Sequence, residues 1–269
     1  MTMLARTAAA AVAAGAAVLL FAGKAAAFSV LVVDGMSTSA SSSVTRDIVY
    51  QLKTLQAEAG NTVTVADATP MDLSAYDQVW DVRYSAVGSL TGAERAAYLD
   101  LLDAGKGLFL VGENASFADR NAAVLSLVAD AGGGALGTRY VSDVQSVEAP
   151  FDGPAAVGTI EYLSPNGLTS AGSGRWITRA GASGTGVAWG SGALSGGRGT
   201  LAVMMDANVL QWGRGAEAEA LVRNLIGFMD ASVTRGTAPV PLPAPALMLG
   251  LGLASLAGFR LRPRLRRRG

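Results

Sequence analysis

The chain has 269 residues with 21 basic and 21 acidic side chains, but the charge is segregated. Eight of the cations lie in residues 1–27 and 260–268, so residues 28–259 hold 13 basic and 21 acidic residues, a net of −8 that disfavours a polyanion-binding body, nucleic acid included. The absence of cysteine excludes thiolate catalysis, disulfides, zinc–thiolate sites and iron–sulfur clusters, and the absence of histidine removes the commonest general base and transition-metal ligand.

Residues 1–27 have the layout of a secretory signal peptide. Arg6 supplies a positive start, residues 8–23 are small or apolar, and Ala25-Ala26-Ala27 offers signal peptidase its small-residue pattern. Cleavage is expected before Phe28. An uncleaved anchor is the alternative, but an alanine-rich run is only mildly apolar and suits transient insertion better.

Residues 28–236 are long enough for one α/β domain. Phe28-Ser29-Val30-Leu31-Val32-Val33, closing on Asp34-Gly35, reads as a buried parallel strand. A serine- and threonine-rich loop then leads into a helix carrying Val44, Ile48, Leu52 and Leu55 on one face, stopped at Gly60-Asn61. Residues 62–66 and 77–82 read as the next two strands. Thr91-Gly92-Ala93-Glu94 has capping-box spacing and opens a helix that runs to Gly105. Leu108-Phe109-Leu110-Val111 is a fourth strand, and residues 117–131 are helical again until Gly132-Gly133-Gly134. From 136 to 197 the texture changes to short β-like pieces rich in Gly, Ser and Pro, read as an inserted antiparallel segment. Residues 200–205 return to a buried strand and 217–229 to a helix. This alternation predicts an α/β fold with a mostly parallel sheet and helices on both faces.

The C-terminus has three parts in order. Residues 237–245 are a proline-rich linker, residues 246–261 a candidate transmembrane helix, and residues 262–269 a basic tail. The strictly apolar core, 246–259, is 14 residues, shorter than the ~20 that cross a bilayer unaided. Snorkelling by Arg260 and Arg262 makes a single transmembrane helix feasible, with the arginines held in the cytoplasm and the body outside it.

A proline motif, a short apolar helix and a terminal arginine cluster in that order resemble the PEP-CTERM family of sorting tails. Val240-Pro241-Leu242-Pro243-Ala244 is similar to its VPLPA subtype. The resemblance implies recognition by an exosortase-type transpeptidase in the inner membrane, and extracellular polysaccharide in the surroundings. An ordinary single-span anchor with a basic flank is the alternative.

The body resembles the class I glutamine amidotransferase-like superfamily, which implies a flavodoxin-like fold. The matching features are the strand ending in Asp34-Gly35, the strand over 76–82, the run from Gly105 to Gly112, and the final strand over 199–206 with its helix. Enzymes of that superfamily carry a cysteine nucleophile at the turn after the fourth strand. Here the turn reads Gly112-Glu113-Asn114-Ala115-Ser116, and an amide at Asn114 is neither nucleophile nor base. Ser116 reads as a helix-start residue with no histidine to activate it, and the body's only lysines, Lys53 and Lys106, lie beside predicted surface.

Polar residues fall at predicted strand ends: Asp34, Asp81, Glu113, Asn114, Asp206 and Asn208. Carboxyl ends of strands share one edge of an open sheet, so these six form a candidate ligand crevice suited to a hard cation or sugar hydroxyls. The plainer alternative is that each acid caps the helix after it. Trp80, Tyr84, Trp176, Trp189 and Trp212 form a candidate sugar-stacking set; core packing is the alternative for most, and Trp212 is the best exposed candidate. The glycine-rich pieces at 181–186 and 190–199 lack the ending of a phosphate loop, and no cofactor or resident metal is expected.

The expected function is therefore a non-enzymatic, exported, membrane-anchored protein that serves as a structural or binding component of the cell surface or extracellular matrix. The rival is a polysaccharide hydrolase pairing Asp34 with Glu113 or Asp206, with carboxyl separations of about 5–5.5 or 6.5–9.5 Å. A third reading is an uncleaved envelope assembly factor.

Overall fold

The computed structural model describes residues 27–84, 90–196 and 199–233. The signal peptide apart from Ala27, the motif Val240-Pro241-Leu242-Pro243-Ala244, the candidate transmembrane helix 246–261 and the basic tail lie outside the described residues. Among the described residues no helix is long and apolar enough to cross a membrane.

The first half alternates strand and helix. It comprises β1 (Ser29–Val33), α1 (Ser42–Glu58), β2 (Thr62–Ala66), β3 (Gln78–Asp81), α2 (Gly92–Asp103), β4 (Gly107–Val111) and α3 (Ala118–Asp130). Then come six strands in succession: β5 (Thr138–Arg139), β6 (Val144–Val147), β7 (Thr159–Glu161), β8 (Gly167–Leu168), β9 (Arg175–Ala180) and β10 (Ser183–Trp189). β11 (Thr200–Met204) and α4 (Ala216–Ser232) follow.

The main sheet runs β2-β1-β3-β4-β11-β10-β9-β6-β7. Its first five strands are parallel, and every pairing from β11 to β7 is antiparallel. The sheet is thus mixed, because the β-rich segment adds its strands to the edge beside β11 rather than standing apart. A short β5–β8 ladder attaches through β8 to β10.

Strand periodicity decides which side chain meets which helix. In β1, Val30 and Val32 face the layer of α1 and α4, where Ile48, Leu52, Leu55, Leu221, Leu225 and Met229 are buried. Leu31 and Val33 face the opposite layer, formed by α2 and α3 with Tyr98, Leu101, Val124 and Leu127. A strand apolar on both faces can exist only between two such layers, which explains the unbroken apolar runs of β1, β4 and β11. β2, at the edge, is exposed or half-exposed throughout. α2 begins where the spacing predicts: the Thr91 hydroxyl accepts from the Glu94 N–H, and the Glu94 carboxylate accepts from the Thr91 N–H. Gly105, at φ 79°, turns the chain out of α2 into β4.

Candidate functional site

The carboxyl ends of β1, β3, β4 and β11 share one edge, and along it four of the six predicted site residues form one group while Asp81 and Asp34 stand apart. The sheet order reverses between β1 and β3, the position where ligands usually enter such sheets. There the protein has placed one of its own side chains. Arg83, two residues beyond β3, lays its stem against Gly35, so closely that a Cβ on Gly35 would stand 2.6 Å from Arg83 Cγ. Gly35 has φ 57°, which lets the turn after β1 pass beneath the arginine.

Asp81 fixes that plug. Its Oδ1 accepts from Arg83 Nε at 2.9 Å and its Oδ2 from Arg83 Nη2 at 2.7 Å, the two-pronged geometry of a strong guanidinium–carboxylate pair. Arg83 Nη1 also donates to Glu94 at 2.6 Å, and Arg83 Nη2 to Thr69 at 3.1 Å. From α3, Arg120 brings Nη2 within 3.1 Å of Asp81 Oδ1, an ion pair without a well-directed hydrogen bond at that nitrogen, while its Nε donates to the Val111 carbonyl. Asp81 and Arg120 are completely buried. Burial pushes the Asp81 carboxyl up, but Arg120 and Arg83 outweigh it and hold the group below the usual carboxylate range. Two carboxylates and two guanidiniums balance within this network. Asp81 therefore anchors the network and presents nothing to a ligand, which corrects its place in the expected crevice.

Asp34 does not join the others. Its Oδ1 accepts from the Met36 N–H at 3.0 Å, closing the turn after β1. Burial raises its pKa, the Met36 N–H opposes that, and nearby Asp67 adds to the rise. Asp67 accepts from both the hydroxyl and the backbone N–H of Ser37.

Glu113 and Asp206, with Asn114 and Asn208, make the group of four, at the ends of β4 and β11. Glu113 Oε1 accepts from the Asn114 N–H at 2.9 Å, and Oε2 from the Ala207 N–H at 3.2 Å. Asp206 Oδ1 accepts from the Asn208 N–H at 2.7 Å, and Oδ2 from the N–H groups of Leu163 and Ser164 at 3.1 and 3.3 Å. Asn114 accepts from the Ser116 N–H, capping a single helical turn at Ala115–Phe117. Asn121 of α3 closes the loop by bonding Glu113 and Asn114 main-chain groups. Burial, reinforced by Asp206, pushes Glu113 up to about 7. A general acid needs such a value, but a substrate oxygen needs a free edge of the carboxyl. Glu113 is 2% exposed, Asp206 is fully buried, and main-chain N–H groups engage each of their oxygens.

Among the described residues no three or more Asp, Glu, His or Cys side chains are grouped so that they could hold a metal ion. The aromatic set divides as well. Trp80 is buried, stacks on Phe109 at 4.4 Å and donates to Gln78. Trp189 is buried and donates to the Gly133 carbonyl, Tyr84 is buried with its hydroxyl on the Ser41 carbonyl, and Trp176 is half-buried against the α2–α3 layer. Trp212 alone of the five is well exposed, edge-on to Tyr50 with ring centroids 4.9 Å apart. Sequence reasoning missed Arg83, Arg120 and Tyr50. An arginine two residues past a strand-end acid was the one available signal for Arg83.

The chain matches no protein-family model and no curated protein. Two solved structures follow a similar course. The one described as the mmIFT52 N-terminal domain is 13% identical with a TM-score of 0.49, covering 77% of this chain and 98% of its own. A ThuA-like protein from Bacteroides uniformis ATCC 8492 is 16% identical with a TM-score of 0.46, covering 76% of this chain and 93% of its own. Neither is close enough to carry an argument about what this chain does.

Proposed function

We propose that the chain is an exported, non-enzymatic protein, held in the inner membrane by residues 246–261 with its body on the periplasmic side. Signal peptidase removes residues 1–27, and an exosortase-type transpeptidase acts at Val240 to Ala244. The body then serves as a structural or binding component at the cell surface. The finer fold assignment, a flavodoxin-like domain related to the glutamine amidotransferase-like superfamily, draws support from the parallel order β2-β1-β3-β4-β11, the 2-1-3-4-5 pattern of that fold.

One observation carries the non-enzymatic part of this reading. Where the superfamily places its nucleophile, Asn114 spends its side chain on a cap, and the flanking acids spend theirs on main-chain N–H groups. With no cysteine or histidine in the chain, nothing replaces the lost nucleophile and base. The addressing part rests on the three-part order of the C-terminal sequence. Mass spectrometry of the mature protein from its native host tests it: the expected chain begins at Phe28 and lacks Arg268. A mature chain that retains Arg268 refutes processing of the tail.

A further inference from the structure

A second surface, on α1 and the loop after β11, has the composition of a binding site. Tyr50 on α1 is 55% exposed and Trp212 is 47% exposed, and the two rings meet at 87° to form a corner. Two large rings in mutual contact at the surface make an aromatic patch of the kind that binding sites use. The corner is tied to α1 by two long contacts. The Trp212 N–H donates to the Asp47 carbonyl of α1, and the Gln211 side chain reaches the Asp47 carboxylate, each at 3.4 Å.

The charge around the corner narrows the partner. Arg46 and Lys53 lie four residues before and three after Tyr50, on the same stripe of α1. Both are exposed, and neither pairs with an acid among the described residues. Together with Met36, Val49, Tyr50 and Thr54 they line a groove of about 430 Å³. They are seven residues apart, about 10 Å along the helix axis, the reach of a short oligomer. Arg46 and Lys53 outnumber the Asp47 carboxylate beside the two rings, a local excess of positive charge on a body of net −8.

We infer that the Tyr50–Trp212 corner with Arg46 and Lys53 binds an acidic glycan, a sugar chain bearing carboxylates. The apolar C–H face of a sugar ring lies on an aromatic face, and its carboxylates meet Arg46 and Lys53. This ligand class deepens the binding role proposed above and rests on that reading for its cellular setting.

The test passes the full chain, in mild detergent, over beads carrying polygalacturonate, neutral dextran or polyglutamate, with phosphatidylglycerol vesicles in parallel. Retention is expected on polygalacturonate, and weaker by about tenfold for Trp212→Ala and for the Arg46→Ala, Lys53→Ala double variant. The double variant alters exposed side chains only and keeps the test decisive should Trp212→Ala unfold; an unchanged melting temperature checks it. Four results overturn the inference. These are no retention, equal retention on polyglutamate, retention insensitive to both variants, or Trp212-dependent binding to vesicles in place of the polymer. None of these outcomes alters the mass of the mature chain, so a failure here is distinct from a failure of the export reading.

Discussion

Replacing Glu113 with Gln removes a buried acid whose ionisation works against the fold at neutral pH. Its carboxyl titrates near 7 in the folded chain, against an ordinary value of 4.5. A raised acid pKa means that the folded chain binds the proton more tightly, so its stability is fully present below about 4.5. Stability is then lost as pH rises through about 7. The shift corresponds to ~3 kcal/mol, accumulated across that window at ~1.4 kcal/mol per pH unit. Glutamine keeps the shape and cannot titrate, and its own packing and hydrogen-bond costs do not vary with pH. Urea unfolding of both proteins at intervals from pH 4.5 to 8 gives the difference in unfolding free energy. Wild type should lose ~3 kcal/mol relative to Glu113→Gln across the range. Asp206→Asn should shrink that change only in part, because desolvation is the larger cause. A difference that stays flat with pH refutes the buried, proton-holding geometry.

Three further substitutions probe the rim. Asp81→Asn leaves Arg83 and Arg120 without their shared counter-charge and should cost about 3–5 kcal/mol in urea unfolding at pH 7; the deficit should narrow as pH falls below the carboxylate range, where wild type also loses the charge. Gly35→Ala places a Cβ 2.6 Å from Arg83 Cγ at a φ of 57°, so it should destabilise by about 1 kcal/mol or more, measured the same way. Thr91→Ala breaks the capping box at the start of α2 and should cost about 1 kcal/mol, read from the same unfolding curves.

The parts of this molecule legible in sequence are those set by neighbours along the chain. The apolar run of β1 and the Thr91–Glu94 spacing each named their structure, because periodicity and capping act over a few residues. The same Glu94 also grips Arg83, eleven residues earlier, and nothing local announced that. Asp81 looked like a crevice acid for a related reason: its second guanidinium, Arg120, comes from a helix 39 residues on. The exposed position of Trp212 was readable from its flanking Gln211 and Gly213, whereas its partner Tyr50 lies on α1, far away in the chain. Residues 136–197 advertised short strands, but the order β10-β9-β6-β7 follows from tertiary register, which short glycine-rich pieces do not encode locally.

The position of β11 has a consequence for how the chain is made. The strand at the seam between the parallel and antiparallel halves is the last of the described strands to leave the ribosome, and it pairs with β4, which precedes it by roughly ninety positions. A nascent chain that has emerged only as far as β10 presents two unpaired backbone edges, β4 and β10, with an empty slot between them. Such edges are adhesive, and long-range closure is slow. Premature termination anywhere before residue 200 thus removes the keystone of the sheet, not a peripheral strip.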